Sequence, residues 1–150
     1  MTARTESSVT IAAPMDLVWD KTNDVARWPQ LFTEYKTAEI LGQEGDTIRF
    51  RLTMHPDENG KEWSWVSERT PDPRTRTVRA RRIETGPFEF MNIFWSYVEG
   101  ADGVTMRWVQ EFQVKQGLPF TDEQMAKHLE ENSVEQMAHI KARIEEAVKS

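Results

Sequence analysis

The final thirty residues limit the possible folds more than any other stretch. Thr121-x-x-Gln124 has the form of a capping box, a reciprocal pair that starts a helix. From there to Lys149, Met125, Leu129, Met137, Ile140, Ile144 and Val148 recur at three- and four-residue spacing, with charges between them. The pattern predicts one helix of about 28 residues, or about 42 Å at 1.5 Å per residue. Such a helix cannot bury its apolar stripe alone, so the rest of the chain must supply a surface for it.

That surface reads as a sheet. Ser7 to Ala12 alternates like a strand. Pro14 suits the first turn of a helix with Leu17, Val18 and Thr22 inward, and a second short helix covers 28–33. Beyond Ala38, turn signals at Gly45-Asp46, Asn59-Gly60, Pro71-Asp72-Pro73, Gly86-Pro87 and Gly100–Gly103 separate strands at 38–44, 47–55, 62–70, 76–84, 88–99 and 104–115. The order predicts one α+β domain over residues 1–150. A strongly curved antiparallel sheet of about seven strands wraps the last helix, and the short helices close one end. A large internal cavity is expected between sheet and helix.

Composition narrows the function classes. There is no cysteine, which excludes disulfides, thiolate metal sites and cysteine nucleophiles. His55, His128 and His139 lack metal-ligand spacing, so no metal site is expected. A net charge of −6 argues against nucleic acid as a partner. No apolar run reaches membrane-spanning length, and the N-terminus carries no long apolar run, which reads as a cytoplasmic protein.

The chemistry concentrates in Trp63-Ser64-Trp65-Val66-Ser67-Glu68-Arg69. Strand alternation puts Trp63, Trp65, Ser67 and Arg69 on one face and Glu62, Ser64 and Glu68 on the other. The carboxylate face is the wet one, so two indoles, a hydroxyl and a guanidinium turn inward. A packed core rarely takes an arginine, because burying the charge is costly without a partner. A pocket for a flat, oxygen-rich ligand does take one. The plain alternative is a strand-end arginine that snorkels to water. In the later strands, Met91, Ile93, Trp95 and Tyr97 form one face and Met106, Trp108, Gln110 and Phe112 another; both are assigned inward. Near the start of the last helix, His128, Leu129 and Asn132 face either the cavity mouth or solvent.

Several motifs, taken in order, resemble one family. They are Val18-Trp19-Asp20 with Thr22-Asn23-Asp24, Trp28-Pro29-x-Leu31-Phe32-x-Glu34-Tyr35, Ala38-Glu39-Ile40-Leu41, and Trp63-x-Trp65-Val66-Ser67. Thr77-Val78-Arg79-Ala80, Glu84-Thr85-Gly86-Pro87-Phe88, Met91-Asn92 and Met106–Phe112 continue the series. Together they resemble the single-domain aromatase/cyclases of bacterial aromatic polyketide synthesis, members of the helix-grip superfamily (START and Bet v 1-like). The resemblance implies a cofactor-independent enzyme. It would direct the first-ring aldol condensation of a carrier-protein-bound poly-β-ketone and its dehydration to an aromatic ring. It places the family's pocket arginine on Arg69 and its tyrosine on Tyr35.

The residues suit that chemistry. Trp28, Phe32, Trp63, Trp65, Phe88, Met91, Trp95 and Trp108 would wall the pocket, and Ser67 or Gln110 would fix a carbonyl. Arg69 would polarise an oxygen that gains charge, with Tyr35 as proton donor or relay. No histidine lies beside Ser67 in sequence, which argues against a covalent route. The alternative is a carrier of the same fold that binds an apolar or aromatic ligand without turning it over.

The run Arg74–Arg82 is basic in an acidic chain. Arg74, Arg76, Arg79 and Arg81 form either a solvated edge strand blunted by charge or a landing patch for an acidic acyl carrier protein of a polyketide synthase. Arg82 has the parity of Val78 and Ala80, which would carry it inward toward a carboxylate.

Overall fold

Seven antiparallel strands form one sheet in the order β1-β7-β6-β5-β4-β3-β2. The structure, a computed structural model, describes residues 2–149. The strands are β1 (Ala3–Ile11), β2 (Tyr35–Glu44), β3 (Thr47–Met54), β4 (Ser64–Asp72), β5 (Thr77–Arg82), β6 (Phe88–Gly100) and β7 (Gly103–Val114). The helices are α1 (Met15–Asn23), α2 (Trp28–Leu31) and α3 (Asp122–Lys149), with a single 3₁₀ turn at Val25–Arg27. β2 to β7 form a meander of hairpins. β1 joins the far edge beside β7, so α1 and α2 must carry the chain from one edge of the sheet to the other. They close one end on the way.

α3 starts as its sequence dictates. The Thr121 N–H donates to Gln124 Oε1 at 2.9 Å, and the Gln124 N–H returns to Thr121 Oγ1 at 3.1 Å. Its buried stripe is Ser133, Gln136, Met137, Ile140 and Ile144. Val148, at the end of the predicted stripe, is exposed. The C-terminal half is pinned to the end of β1: Lys141 Nζ donates to the Thr10 carbonyl at 2.7 Å, and the Ala12 N–H donates to Glu145 Oε2 at 2.8 Å. At the β6–β7 turn, Gly103 has φ +131°, and a Cβ there would collide with the Ile11 carbonyl.

Two strand readings need correction. β4 begins at Ser64, so Trp63 lies in the preceding loop and not on the inward face. It is 46% exposed, donates Nε1–H to Asp57 Oδ2 at 3.0 Å, and carries Lys61 over its ring. Asp57 also accepts the N–H groups of Asn59 and Lys61, and this local turn draws the indole to the surface. β5, the basic strand, is not an edge. It lies between β4 and β6, and the edges are β1 and β2. β2 is largely exposed and interrupted by two register shifts, which make an open edge a poor template for another strand.

Candidate functional site

The concave face is built in transverse rows by cross-strand register. One row runs Arg69, Ala80, Ile93, Gln110, Thr5; the next runs Val78, Trp95, Trp108, Ser7. Arg69 is the largest fully buried side chain, with 1% of its surface exposed. Nη2 donates to Asn23 Oδ1 at 2.9 Å and to the Thr22 carbonyl at 3.4 Å, while Nε donates to Asn23 Oδ1 at 3.2 Å. The guanidinium carbon stands 4.2 Å from the Trp95 ring centre and 5.1 Å from that of Trp28. Among the described residues, no carboxylate pairs with it. Burial pulls its pKa down to about 10, and the neighbouring Tyr97 oxygen opposes that pull. Tyr97 and Thr22 share a 2.6 Å hydrogen bond. The Thr22 hydroxyl donates to the Val18 carbonyl at 2.7 Å, so Tyr97 is the donor to Thr22. The cation is thus held by neutral oxygens and aromatic faces.

The expected hollow is walled and partly filled by rings. Trp95 and Trp108 stack at 4.5 Å, Phe32 lies 6.0 Å from Trp108, and Trp28 stacks 5.9 Å from Trp95 and 6.0 Å from Tyr35. Trp28 donates Nε1–H to the Thr22 carbonyl at 3.2 Å. Trp108 Nε1–H is buried with no acceptor among the described residues. Trp65, Ala80, Arg82, Ile93, Gln110 and Leu129, all on the inner side, keep part of their surface accessible. Thr5 donates to Gln110 Oε1 at 2.8 Å, which leaves the Gln110 amide N–H groups for another acceptor. Ser67 is buried on the same face, opposite Arg82. Phe88 and Met91 close the far end in a second apolar cluster with Phe112 and Val114, and Leu129 packs against it.

Tyr35 is positioned by α3. Gln136 and Asn132, one turn apart, clamp the segment before it. The Thr33 N–H donates to Gln136 Oε1 at 2.9 Å, Gln136 Nε2 donates to Thr33 Oγ1 at 2.8 Å, and Asn132 Nδ2 donates to Glu34 Oε2 at 2.9 Å. The Glu34 carboxyl and the Tyr35 hydroxyl lie close enough to perturb one another. Burial, then the Glu34 charge, pushes the Tyr35 pKa well above its ordinary value; Arg82 and Arg69 pull the other way. Burial also raises the Glu34 carboxyl, against the opposing pull of Asn132 and Tyr35. His128 is exposed, one turn before Asn132.

Sequence alternation brought Arg69, Ser67, Trp65, Trp95, Trp108 and Gln110 to one face. It also turned Tyr97 inward, without giving it a role, and it did not single out Asn23 or Glu34; these three hold or tune the two polar centres. Tyr97 had a signal, since it shares the parity of Trp95. Asn23 and Glu34 stood in the quoted motifs, but their partners Arg69 and Asn132 lie far off in sequence, so no role could be read for them. Arg82 turns inward as its parity suggested, but no carboxylate pairs with it. Of the basic run, Arg76 pairs with Asp16 at 2.7 Å, Arg81 pairs with Glu68 at 3.0 Å, Arg74 is 92% exposed, and Arg79 lies over Phe94 at 5.0 Å. One groove is lined by Glu68, Arg79, Arg81 and Glu111 among others, and a second by Glu44, Arg49 and Glu68; neither includes Arg69 or Tyr35. Among the described residues no cluster of three or more His, Cys, Asp or Glu side chains could hold a metal ion. Among the described residues no helix is long and apolar enough to cross a membrane.

A curved sheet closed on a long C-terminal helix, with a cationic, tryptophan-walled inner face, defines a helix-grip pocket protein. The chain belongs to the family of polyketide cyclases/dehydrases and lipid transport proteins, whose model matches residues 2–145. It is 58% identical over 146 residues to a "Putative polyketide cyclase" of Streptomyces cyaneus, covering 97% of this chain and 96% of that one. Over 103 residues it is 35% identical to the granaticin polyketide synthase bifunctional cyclase/dehydratase of Streptomyces violaceoruber, covering 68% of this chain and 31% of that one. The crystal structure of the Zhui aromatase/cyclase from a Streptomyces species superposes with a TM-score of 0.85 at 25% identity, covering 99% of this chain and 96% of that one. The family expected from the motifs is the family found.

Proposed function

We propose that this protein is an aromatase/cyclase acting on a carrier-protein-bound poly-β-ketone, closing its first ring by aldol condensation and aromatising it by loss of water. The observation that carries this reading is Arg69, a fully buried guanidinium with neutral partners and no counter-charge. A methylene between two carbonyls loses a proton, the resulting carbanion attacks a carbonyl carbon, and the new alkoxide takes a proton. Water then leaves, driven by aromatisation. The reactivity belongs to the substrate. The protein's tasks are to hold one folded conformer and to stabilise the oxygen that gains charge.

Arg69 supplies planar, permanently charged donors for that oxygen, fixed before substrate arrives. Trp108 Nε1–H supports the reading independently. A buried donor without an acceptor costs about 1–3 kcal/mol, and a substrate carbonyl would relieve it. Tyr35, with its raised pKa, stays a phenol at neutral pH and so serves as a proton donor; Glu34 beside it can return the proton. Delivery by an acidic carrier protein would use Arg79 and Arg74, the members of the basic run least engaged with carboxylates.

The test is product analysis with a reconstituted minimal synthase. Arg69→Ala should keep the fold and lower correctly cyclised product about 10²–10³-fold, the usual consequence of removing one fixed oxyanion donor. Arg69→Lys should restore only part, because the planar fork is gone. An unchanged yield and ring pattern in Arg69→Ala would overturn the assignment.

A further inference from the structure

Arg82 is a second inward arginine that neither the pairing of the fold nor the chemistry above uses. Cross-strand register sets it opposite Ser67, while Arg69 stands opposite Ala80. Arg82 is therefore one row from Arg69 along the same face, toward the Phe88–Met91 end, and the small Ala80 leaves room between them. Its guanidinium carbon lies 4.1 Å from the Trp65 ring centre and 5.0 Å from that of Phe88. The loop that follows wraps closely round it. Gly86, at φ +57°, sits where a Cβ would be 3.4 Å from Arg82 Nη1. The loop is tied back to β4 by the N–H groups of Ile83 and Glu84, both donating to the Val66 carbonyl.

The carboxylates near Arg82 are occupied elsewhere. Glu84, two residues on, takes both oxygens to Arg51 on the outer face at 3.1 Å. Glu34 accepts from Asn132. Among the described residues the Arg82 side chain makes no ion pair and no hydrogen bond. Aromatic faces hold the cation in place but do not satisfy its five N–H donors. A planar fork stacked on an indole and open on its edge suits two oxygens presented side by side in one plane. A 1,3-dicarbonyl, or its enolate, presents oxygens that way.

We propose that Arg82 is a specificity-determining subsite that grips a second β-dicarbonyl unit of the same chain while Arg69 holds the reacting oxygen, so that the spacing of the two guanidinium groups sets which carbons meet. This rests on the aromatase/cyclase reading. A single anchor lets a flexible poly-β-ketone slide by one two-carbon unit, because every unit carries the same oxygen pattern. Two anchors on a rigid sheet do not.

The experiment measures quenching of tryptophan fluorescence by 1-(2-naphthyl)butane-1,3-dione and by 2-acetonaphthone, which lacks the second carbonyl. The wild-type protein should bind the diketone at least tenfold more tightly. Arg82→Gln and Arg82→Met should lose that preference while binding the monoketone as before, which also reports an intact fold; Arg82→Lys should keep part of it. In the reconstituted synthase, Arg82→Gln should shift the products toward rings closed between different carbons. Retained diketone preference together with an unchanged ring pattern in Arg82→Gln would overturn the Arg82 assignment and leave the cyclase reading intact. Wild-type protein that binds neither probe and does not alter the synthase's products would overturn both.

Discussion

The two faces of the β4–β5 pair treat arginine in opposite ways. On the convex face, Arg49 and Arg81 bracket Glu68 at 3.2 and 3.0 Å, and Arg51 grips Glu84. On the concave face, one residue away in sequence, Arg69 meets neutral oxygens and aromatic rings, and Arg82 meets aromatic rings. The outer pairs sit in water, where such pairs contribute little to stability and are screened by salt. The inner cations are desolvated, and burial lowers both to about 10. A charge placed where it is costly, without its natural partner, indicates a binding role better than any number of satisfied surface pairs.

If that contrast is right, the inner arginine should matter for chemistry and hardly at all for folding. Arg69→Met, which fills similar volume, should abolish cyclisation yet leave unfolding free energy within about 1 kcal/mol of wild type, because the desolvation cost leaves with the charge. Asn23→Ala should do more damage to stability, about 2–3 kcal/mol. It strips the acceptor that takes both Nε and Nη2 and leaves the cation buried. Urea denaturation of the two variants side by side checks the order. If Arg69→Met were the more destabilised, Arg69 would be a structural group and the contrast between faces would fail.

The contrast was half legible in the sequence. Strand alternation is a local rule, so Trp65, Ser67 and Arg69 could be turned inward from seven residues alone. The capping box at Thr121 and Gln124 is equally local, and it marks the start of α3. Trp63 broke the alternation because a turn built on Asp57 delays the start of the strand to Ser64, two residues later than the pattern suggests. Asn23, Glu34 and Gln136 were not legible as site groups. Asn23 meets Arg69 across 46 positions, and Gln136 meets Thr33 across 103. Such partners follow from how α1 and α3 cross the sheet, which no local period encodes. Inward parity could be read for Arg82, but its lack of a carboxylate could not, since that depends on Arg51 drawing Glu84 to the outside.

A smaller effect separates the inner carboxyl from the outer ones. Glu34 has a raised pKa from burial, whereas Glu68 is lowered by Arg49 and Arg81. A carboxyl raised in the fold binds a proton more tightly there than in the unfolded chain. Stability then falls as pH rises from the ordinary value of 4.5 through the raised one. The lowered groups act in the opposite direction and at lower pH, with Glu6 down to about 2. Between wild type and Glu34→Gln, the difference in urea midpoint should therefore grow in favour of the variant across the pH range just above 4.5 and then level off. A constant difference across that range would mean that Glu34 is not desolvated and belongs with the outer set.

The weakest effect is expected on the convex side. Arg79→Glu with Arg81→Glu reverses two exposed charges, one over Phe94 and one beside Glu68. Neither reaches the inner face, so binding of a free small-molecule probe should not change. Delivery from a carrier protein is a different step, since long-range attraction raises encounter rates and fades as salt shortens its reach to about 10 Å at 0.1 M. The double reversal should therefore slow cyclisation of carrier-bound chains at low salt and converge on wild type as salt rises. A salt-independent loss would point to damage transmitted through β5 into the pocket, and the two faces would then not be separable. Equal rates at every salt concentration would remove the convex basic strand from the delivery step altogether.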